Sequence, residues 1–371
     1  MNSTEISKGL EGVVVDETTI SNVMPESNSL TYRGYPVEQL CDNCSFEQVA
    51  YLLIYGELPN HKELEEFQTI ERSKRKLSSE QLERIHYLPE SAHPMDSLRT
   101  CVSFLGCEDP RIWDNSPETS IDKFLNMYAK IPTIIAGCYR HAAGEEIIHP
   151  KQNIGVAENF FYMCFGEMPS KEVAKALEVS LILYAEHSFN ASTFTARVVA
   201  STTSDMYSAV TAAIGALKGP LHGGANEHVM HMLMEIGETK MVEKWLKKSL
   251  ADKRKIMGFG HRVYRSGDSR VPTMKKYTKK LAESVGDQRW LDISNVLEKE
   301  MIKQKGIYPN LDYPAGPAYY LMGFDIDIFT PIFVMSRITG WCAHIMEQYA
   351  HNKLIRPLSC YAGRAQRNVV R

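Results

Sequence analysis

Three short segments of the sequence carry residues whose types and spacing suit chemistry better than they suit a helix surface. The first, residues 218–227, places His222 between a Gly-Pro pair that ends one helix and a Gly-Gly pair that permits a tight turn. Near the N-terminus of the next helix, the helix dipole disfavours a charged imidazolium. His222 therefore suits a neutral hydrogen-bond donor, and a histidine in a plain glycine-rich loop is the alternative interpretation.

The second segment, residues 253–270, combines glycines with a cluster of cations. Gly258 and Gly260 let the backbone approach a ligand, and the cations suit phosphates and carboxylates. The third glycine and the preceding strand of a dinucleotide-binding fingerprint are missing. The joint pattern of Gly-Phe-Gly-His261 (GFGH), Arg265 and Asp268-Ser-Arg270 is more specific than the glycines alone.

The third segment, residues 308–316, surrounds Asp312 with proline, leucine, tyrosine and alanine. Desolvation in such surroundings raises the pKa of a carboxylate toward that of a useful general base. The alternative interpretation is that Asp312 caps a helix starting near Pro317, and the two roles are compatible.

Composition bounds the class of protein. The 371 residues are 44% hydrophobic and 23% charged, which suits large cores and two domains. A net charge of -3 provides no basic field for nucleic acid, and we find no apolar run of the roughly 18 residues that a membrane span needs. Met1 to Gly9 has no apolar core of a signal peptide. We expect a cytoplasmic protein whose eight cysteines, including the Cys41-x-x-Cys44 pair, are reduced thiols.

Local patterns predict an all-α protein with many helices and a small N-terminal β-hairpin. Residues 13–15, 18–20 and 30–32 are β-prone runs between turn residues. Three capping boxes predict helix starts at Ser45, Asn60 and Ser78. Strands do not alternate with helices as a parallel sheet requires. A shift from the charge-rich residues 235–304 to the apolar residues 308–346 hints at a domain boundary.

Together with other separated motifs, these segments resemble the citrate synthase family over nearly the whole chain. The stretch 258–270 fits the family signature around its second catalytic histidine. The other motifs are Leu30-Thr-Tyr-Arg-Gly-Tyr35, His93-Pro-Met-Asp96, Tyr184-Ala-Glu-His187 with the residues through Arg197, and Arg356-Pro-Leu-Ser. Within the family, the chain is most similar to the short bacterial enzymes described as bifunctional 2-methylcitrate synthase/citrate synthase.

The resemblance implies a fold and a reaction. It implies a large helical domain, residues 1–222 and 328–371, and a small inserted helical domain, residues 223–327, that closes on oxaloacetate. The reaction condenses an acyl-CoA, propionyl-CoA or acetyl-CoA, with oxaloacetate and hydrolyses the product to 2-methylcitrate or citrate plus CoA. No cofactor and no metal are expected.

The resemblance also implies residue roles. Asp312 is the base, His222 binds the thioester oxygen and His261 polarises the oxaloacetate carbonyl. Residues matched to oxaloacetate binding are Arg72, His187, Arg270, Arg337 and Arg356, and those matched to CoA binding are Lys255, Ile256, Met257, Gly258 and Phe259. In the family, the residue matched by Arg356 crosses a dimer interface, which implies a homodimer.

Other functions stay open at this stage. A dedicated citrate synthase of the tricarboxylic acid cycle is one alternative, because one methylene in a hydrophobic pocket is worth only about 1–3 kcal/mol. Citryl-CoA lyase and a non-catalytic helical dimer are two more. Arg337 and Arg356 also suit ordinary ion pairs, and the His228-x-x-His231 pair could suit a metal, although it is not the HExxH motif.

Overall fold

The computed structural model describes residues 6–264 and 267–369, and its first regular elements form a small antiparallel sheet. The strands are β1 (Ser21–Met24), β2 (Ser29–Tyr32) and β3 (Tyr35–Pro36), in the order β1-β2-β3. Ser21 lies opposite Tyr32, and Met24 lies opposite Ser29. This register directs Leu30 and Tyr32 into the core, where both are fully buried.

The predicted N-terminal hairpin is confirmed, but two of the three β-prone runs were wrong. Residues 13–15 and 18–20 lie outside the strands, and only the run 30–32 matches a strand, β2, so that β1 and the short β3 were not predicted. Val14 is 88% exposed. A strand needs a neighbour to accept its backbone hydrogen bonds, and the described part of the chain offers residues 13–15 none.

The rest of the chain is helical, which confirms the predicted all-α class. Across the described residues the α-helices are α1 (Val37–Asn43), α2 (Phe46–Tyr55), α3 (His61–Lys74), α4 (Ser79–His86), α5 (Pro94–Cys107), α6 (Pro117–Ala142), α7 (Val156–Phe165), α8 (Lys171–Tyr184), α9 (Ala191–Ser201), α10 (Met206–Leu217), α11 (Ala225–Ile236), α12 (Val242–Ala251), α13 (Val271–Val285), α14 (Arg289–Lys305), α15 (Asp312–Leu321) and α16 (Phe329–Ala350). No helix among the described residues is long and apolar enough to cross a membrane.

The three predicted capping boxes are present. The side chains of Ser45, Asn60 and Ser78 each accept a hydrogen bond from the backbone N–H three residues on, and that residue's side chain accepts one from the backbone N–H of the cap residue. A cap of this kind stabilises a helix by about 1 kcal/mol. These local contacts fix where α2, α3 and α4 begin.

The long helix α16 lies at the centre of the core and carries Arg337. All of its residues from Phe329 to Ile345 are buried, and it packs against α2, α6, α8, α9 and α10. At Gly340 it passes directly over the chain that follows α8. A Cβ at this position would overlap the Glu186 carboxylate and would lie 2.5 Å from the Ala185 carbonyl oxygen. The glycine therefore sets how closely α16 approaches the end of α8.

We predict that Gly340→Ala lowers the free energy of unfolding by about 1–3 kcal/mol or more, because the buried backbone of residues 185–186 must move. Chemical denaturation followed by circular dichroism measures the change. Gly215→Ala is the control, since Gly215 is an exposed position of α10 where the nearest atom to a new Cβ is 4.0 Å away. That change should leave stability equal or slightly higher. Equal stability of the two variants would contradict the role of Gly340.

Candidate active site

The C-terminal end of α8 is the centre of the candidate site. Its last carbonyl groups have no partner within the helix and carry the negative end of the helix dipole. The Tyr32 hydroxyl donates to the Ile182 carbonyl at 3.0 Å, and Arg337 Nε donates to the Tyr184 carbonyl at 2.6 Å. Arg270 Nη1 makes a longer contact of 3.5 Å with the Leu183 carbonyl. Two buried guanidinium groups are thus held at one helix end.

Arg270 is paired with Asp268 through two parallel hydrogen bonds. Nε lies 2.9 Å from Oδ1 and Nη2 lies 2.7 Å from Oδ2. Burial alone would lower the pKa of Arg270, but the Asp268 carboxylate raises it above its usual range. Burial likewise tends to raise the pKa of Asp268, and Arg270 brings it below the usual value. The pair therefore stays charged although both side chains are almost inaccessible to water.

The same carboxylate joins the second and third sequence segments. Asp268 Oδ2 accepts a hydrogen bond from the Leu311 backbone N–H at 3.1 Å. A short antiparallel bridge continues the contact, with the N–H of Gly260 donating to Tyr308 at 2.8 Å and that of Asn310 donating to Gly258 at 2.9 Å. The loop of His261 and the N-terminus of α15 therefore form one unit.

Gly258 makes that unit possible. Its φ of +77° lies in the left-handed region, and a Cβ would lie 2.6 Å from the Val229 side chain and 3.0 Å from that of Tyr313. Only glycine satisfies both constraints. The first glycine of the GFGH pattern is thus required by packing.

Asp312 is the first residue of α15, and its carboxylate accepts a hydrogen bond from the Tyr184 hydroxyl at 2.7 Å. Burial raises the pKa of Asp312 to about 6, opposed by the Tyr184 hydrogen bond and by the positive charge of Arg270. The carboxylate is therefore ionised at neutral pH, yet basic enough to accept a proton from a weak carbon acid.

His222 lies in the break between α10 and α11, with Nε2 2.7 Å from Ser192 Oγ and 3.3 Å from the Ser192 backbone N–H. A backbone N–H can only donate, so Nε2 accepts and the ring proton belongs on Nδ1. Burial, and then the charge of Arg337, lowers the pKa of His222 to about 3. The ring is therefore neutral and has its Nδ1–H available to donate.

His261 is also neutral, with the opposite tautomer. Its Nδ1 accepts hydrogen bonds from the backbone N–H groups of Val263 at 3.0 Å and Tyr264 at 3.1 Å, so the proton belongs on Nε2. Burial, and then Arg270, lowers the pKa of His261 to about 4. Its ring lies 5.0 Å from that of His187, centroid to centroid.

Two buried nitrogens of the site have no hydrogen-bond partner among the described residues. They are His187 Nε2 and Arg337 Nη1. Burial lowers the pKa of His187 well below its usual value, with Arg270, His261 and Arg337 adding to the effect. Burial also lowers the pKa of Arg337 to about 10. Unpaired buried polar groups are costly, so this arrangement suits an anionic ligand that supplies acceptor oxygens.

The structure brings together six of the residues that the sequence singles out: His187, His222, His261, Arg270, Asp312 and Arg337. It does not bring Arg72 or Arg356 into hydrogen-bond contact with them within the described residues. Arg72 lies in the last turn of α3, and Arg356 is exposed on the segment after α16. Of residues 255–259, Lys255 is exposed, whereas Ile256, Gly258 and Phe259 are buried.

Some contacts were not predicted from sequence. Tyr184 follows the apolar spacing of α8, and its bond to Asp312 joins residues 128 positions apart. Phe333 was also missed, although its ring lies 4.1 Å from that of Tyr184 and 6.2 Å from that of His222. Arg265 of the second segment lies outside the described residues.

The possible metal pair at His228 and His231 is not supported by its surroundings. His228 Nδ1 bonds the Gly224 carbonyl at 2.8 Å, which satisfies that nitrogen within its own helix. Over the ranges 6–264 and 267–369, no group of three or more histidine, cysteine, aspartate or glutamate side chains could hold a metal ion.

A helical fold that places a desolvated carboxylate and neutral histidines beside two buried arginines defines an acid–base enzyme acting on a small anion. The chain belongs to the citrate synthase family. The family's sequence profile, described as citrate synthase, C-terminal domain, matches residues 9–358. Members of this family transfer acyl groups, and this chain is such an enzyme.

Individual relatives agree with this assignment. The chain is 59% identical to a 2-methylcitrate synthase of Mycobacterium tuberculosis, over 98% of this chain and 92% of the relative. It is 58% identical to a citrate synthase of Mycolicibacterium smegmatis, over 98% of this chain and 97% of the relative. The structure matches a citrate synthase of Thermoplasma acidophilum that was solved as a ternary complex with carboxymethyl coenzyme A and oxaloacetate. The TM-score is 0.93, the identity is 36%, and the match covers 99% of this chain and 98% of that chain.

We predict that Asp268→Asn lowers the free energy of unfolding by about 3–5 kcal/mol, because it leaves the Arg270 charge buried without its partner. Denaturant titration measures the loss. Asp42→Asn is the control: Asp42 pairs with Lys276 at 3.0 Å, but both side chains are 50% exposed, so the loss should be below about 1 kcal/mol. Similar losses for the two variants would contradict the structural role of the buried pair.

Proposed function

We propose that the chain condenses propionyl-CoA or acetyl-CoA with oxaloacetate and hydrolyses the product to 2-methylcitrate or citrate plus CoA. One observation carries the proposal: Tyr184, which holds the desolvated Asp312 carboxylate, and the neutral His222 both pack on Phe333, in a site that also contains the unpaired nitrogens of His187 and Arg337. The relatives named 2-methylcitrate synthase and citrate synthase support the choice of acyl-CoA substrates.

The two carboxylates of oxaloacetate fit the excess of buried positive charge. Arg337 offers Nη1 and His187 offers Nε2, both without partners among the described residues. A bound dianion would supply the hydrogen-bond acceptors that these two groups lack, and the positive charge of Arg270 would add to its attraction. The neutral His261 presents Nε2–H as a donor for the ketone oxygen.

Carbon–carbon bond formation follows from the same groups. Asp312 takes a proton from the α-carbon of the thioester, while His222 Nδ1–H donates a hydrogen bond to the thioester oxygen where negative charge develops. The enol carbon attacks the ketone carbon of oxaloacetate. The ketone oxygen, which accepts the hydrogen bond from His261 Nε2–H, is protonated on that side. Water then cleaves the thioester, which releases CoA and the tricarboxylate.

The finer assignments stay proposals with separate support. We propose that residues 223–327 form a small domain that closes over the site, because His222 lies in the break before α11, which starts at Ala225, and α16 begins at Phe329. Residues 255–259 then lie along CoA, with the exposed Lys255 near its phosphates. Titration of a CoA thioester with and without oxaloacetate tests the closure, since equal affinities would exclude it.

We also propose a homodimer in which Arg356 completes the oxaloacetate site of a second copy. Arg356 is exposed on an irregular segment that is tied to α9 by the Ile355 N–H bond to Ser201 Oγ at 3.0 Å. Arg72 is assigned to the substrate by resemblance alone. A cytoplasmic location is supported by the eight cysteines, all of which are free thiols.

The proposed function predicts that Asp312→Asn lowers kcat about 10²–10⁴-fold with both acyl-CoAs, because an amide cannot accept the α-proton. Release of free CoA at saturating oxaloacetate measures turnover. Asp292→Asn is the matched control, since Asp292 is an exposed carboxylate in the first turn of α14. It should leave kcat unchanged.

The same assay with the unmodified chain separates the two acyl-CoAs. We expect turnover with both and a value of kcat/KM for propionyl-CoA at least as high as for acetyl-CoA. A preference for acetyl-CoA above about tenfold would favour a dedicated citrate synthase instead, since one methylene accounts for roughly 10–200-fold. Absence of turnover with both would overturn the proposed function.

A further inference from the structure

Tyr184, the last residue of α8, contacts the proposed base directly. Its hydroxyl lies 2.7 Å from Asp312 Oδ1, and an ionised carboxylate can only accept, so the phenol donates. The ring is 1% exposed and packs on Phe333 with a centroid distance of 4.1 Å. The hydroxyl is therefore held in place by a buried and well-packed ring.

The main chain of the same residue contacts the substrate side of the site. The Tyr184 carbonyl accepts the hydrogen bond of 2.6 Å from Arg337 Nε. One residue thus fixes the distance between the carboxylate on α15 and the guanidinium on α16. Within the described residues, Asp312 Oδ2 has no hydrogen-bond partner, so only Oδ1 is occupied.

We propose that Tyr184 is a positioning residue for the base: its hydroxyl fixes Oδ1 of Asp312, keeps the carboxylate ionised and leaves Oδ2 to accept the α-proton. The inference rests on the proposed role of Asp312. A donor at Oδ1 also stops the carboxylate from rotating, which keeps Oδ2 aligned with the thioester.

The charged and titratable groups around Asp312 decide how strongly one hydroxyl acts. Those that face it are Tyr184 from α8, Arg270 and Asp268 from the loop before α13, and Arg337 from α16. On α15 itself, the Tyr319 hydroxyl donates to Ser180 at 3.2 Å. The charged side chains on the other elements packed against α15 interact with residues other than Asp312.

Helices α11 and α14 illustrate this. Glu227 of α11 accepts from Thr330, and Glu298 of α14 pairs with Lys275. Asp327, in the turn before α16, acts on His93. Tyr184 is therefore the hydrogen-bond donor among the groups that face the carboxylate.

The direction of the effect follows. Burial raises the pKa of Asp312 and the Tyr184 hydrogen bond lowers it. Removal of the hydroxyl removes the lowering contribution, so the base becomes protonated at a higher pH. The base must be ionised to act, and activity is therefore lost at a higher pH as the solution is acidified.

Tyr184→Phe tests the proposal because it keeps the packed ring and removes one oxygen. We expect the acid limb of the kcat profile to move up by about one pH unit. That corresponds to kcat about fivefold lower at pH 6 and within about twofold at pH 8.5. Tyr319→Phe is the matched control, since it removes a buried hydroxyl from the same region without touching Asp312. Its acid limb should coincide with that of the unmodified chain.

A second variant should shift the acid limb in the opposite direction while keeping nearly the shape of the tyrosine side chain. With 3,5-difluorotyrosine at position 184, the phenol is a stronger donor, so the acid limb should move to lower pH. Acid limbs that coincide for all variants, or a loss for Tyr184→Phe that is equal at every pH, would overturn the proposal. If Asp312→Asn keeps its activity, the proposed function fails; if only the Tyr184 profiles are unmoved, the inference alone fails.

Discussion

The open carbonyl end of α8 is the feature on which the site depends. Helix ends leave carbonyl groups unpaired, and buried ends need donors. Here the donors are the Tyr32 hydroxyl and the guanidinium groups of Arg270 and Arg337, which the negative end of the helix dipole also favours. The need of the α8 carbonyl groups for donors thus places two positive charges in the interior, beside His187, which follows the helix.

Burial, together with those charges, sets the protonation of the remaining groups. Burial and the nearby arginines act in the same direction on His187, His222 and His261, and all three stay neutral. On Asp312 burial raises the pKa, the Tyr184 hydrogen bond and then the arginine charges lower it, and the pKa settles at about 6. Neutral donors and a moderately basic carboxylate are what proton removal next to a thioester requires. In the proposed function, the arginines serve both the binding of a dianion and this tuning.

Much of the fold was predictable because its signals are local. Capping boxes at Ser45, Asn60 and Ser78 fix helix starts through contacts three residues long. The three chemical segments were also recognisable from residue types at short spacing. The prediction of a strand at residues 13–15 was wrong because β propensity gives no information on whether a partner strand exists.

Contacts between segments that are distant in the sequence could not be predicted from such local patterns. The bond from Tyr184 to Asp312 depends on the packing of α8 against α15, and nothing near either residue indicates it. The same holds for the bridge between residues 258–260 and 308–310, which turns two separate motifs into one unit. Sequence therefore singled out the candidate site residues, whereas the structure was needed for their hydrogen-bond partners and tautomers.

The protonation states of His222 and His261 test the central claim most directly. Nitrogen-15 NMR of the histidine side chains reports both charge and tautomer. Between pH 6 and pH 8 both rings should be neutral, because their pKa values are lowered to about 3 and about 4. The proton should lie on Nδ1 of His222 and on Nε2 of His261. An imidazolium at neutral pH, or the reverse tautomers, would contradict the proposed roles of both residues.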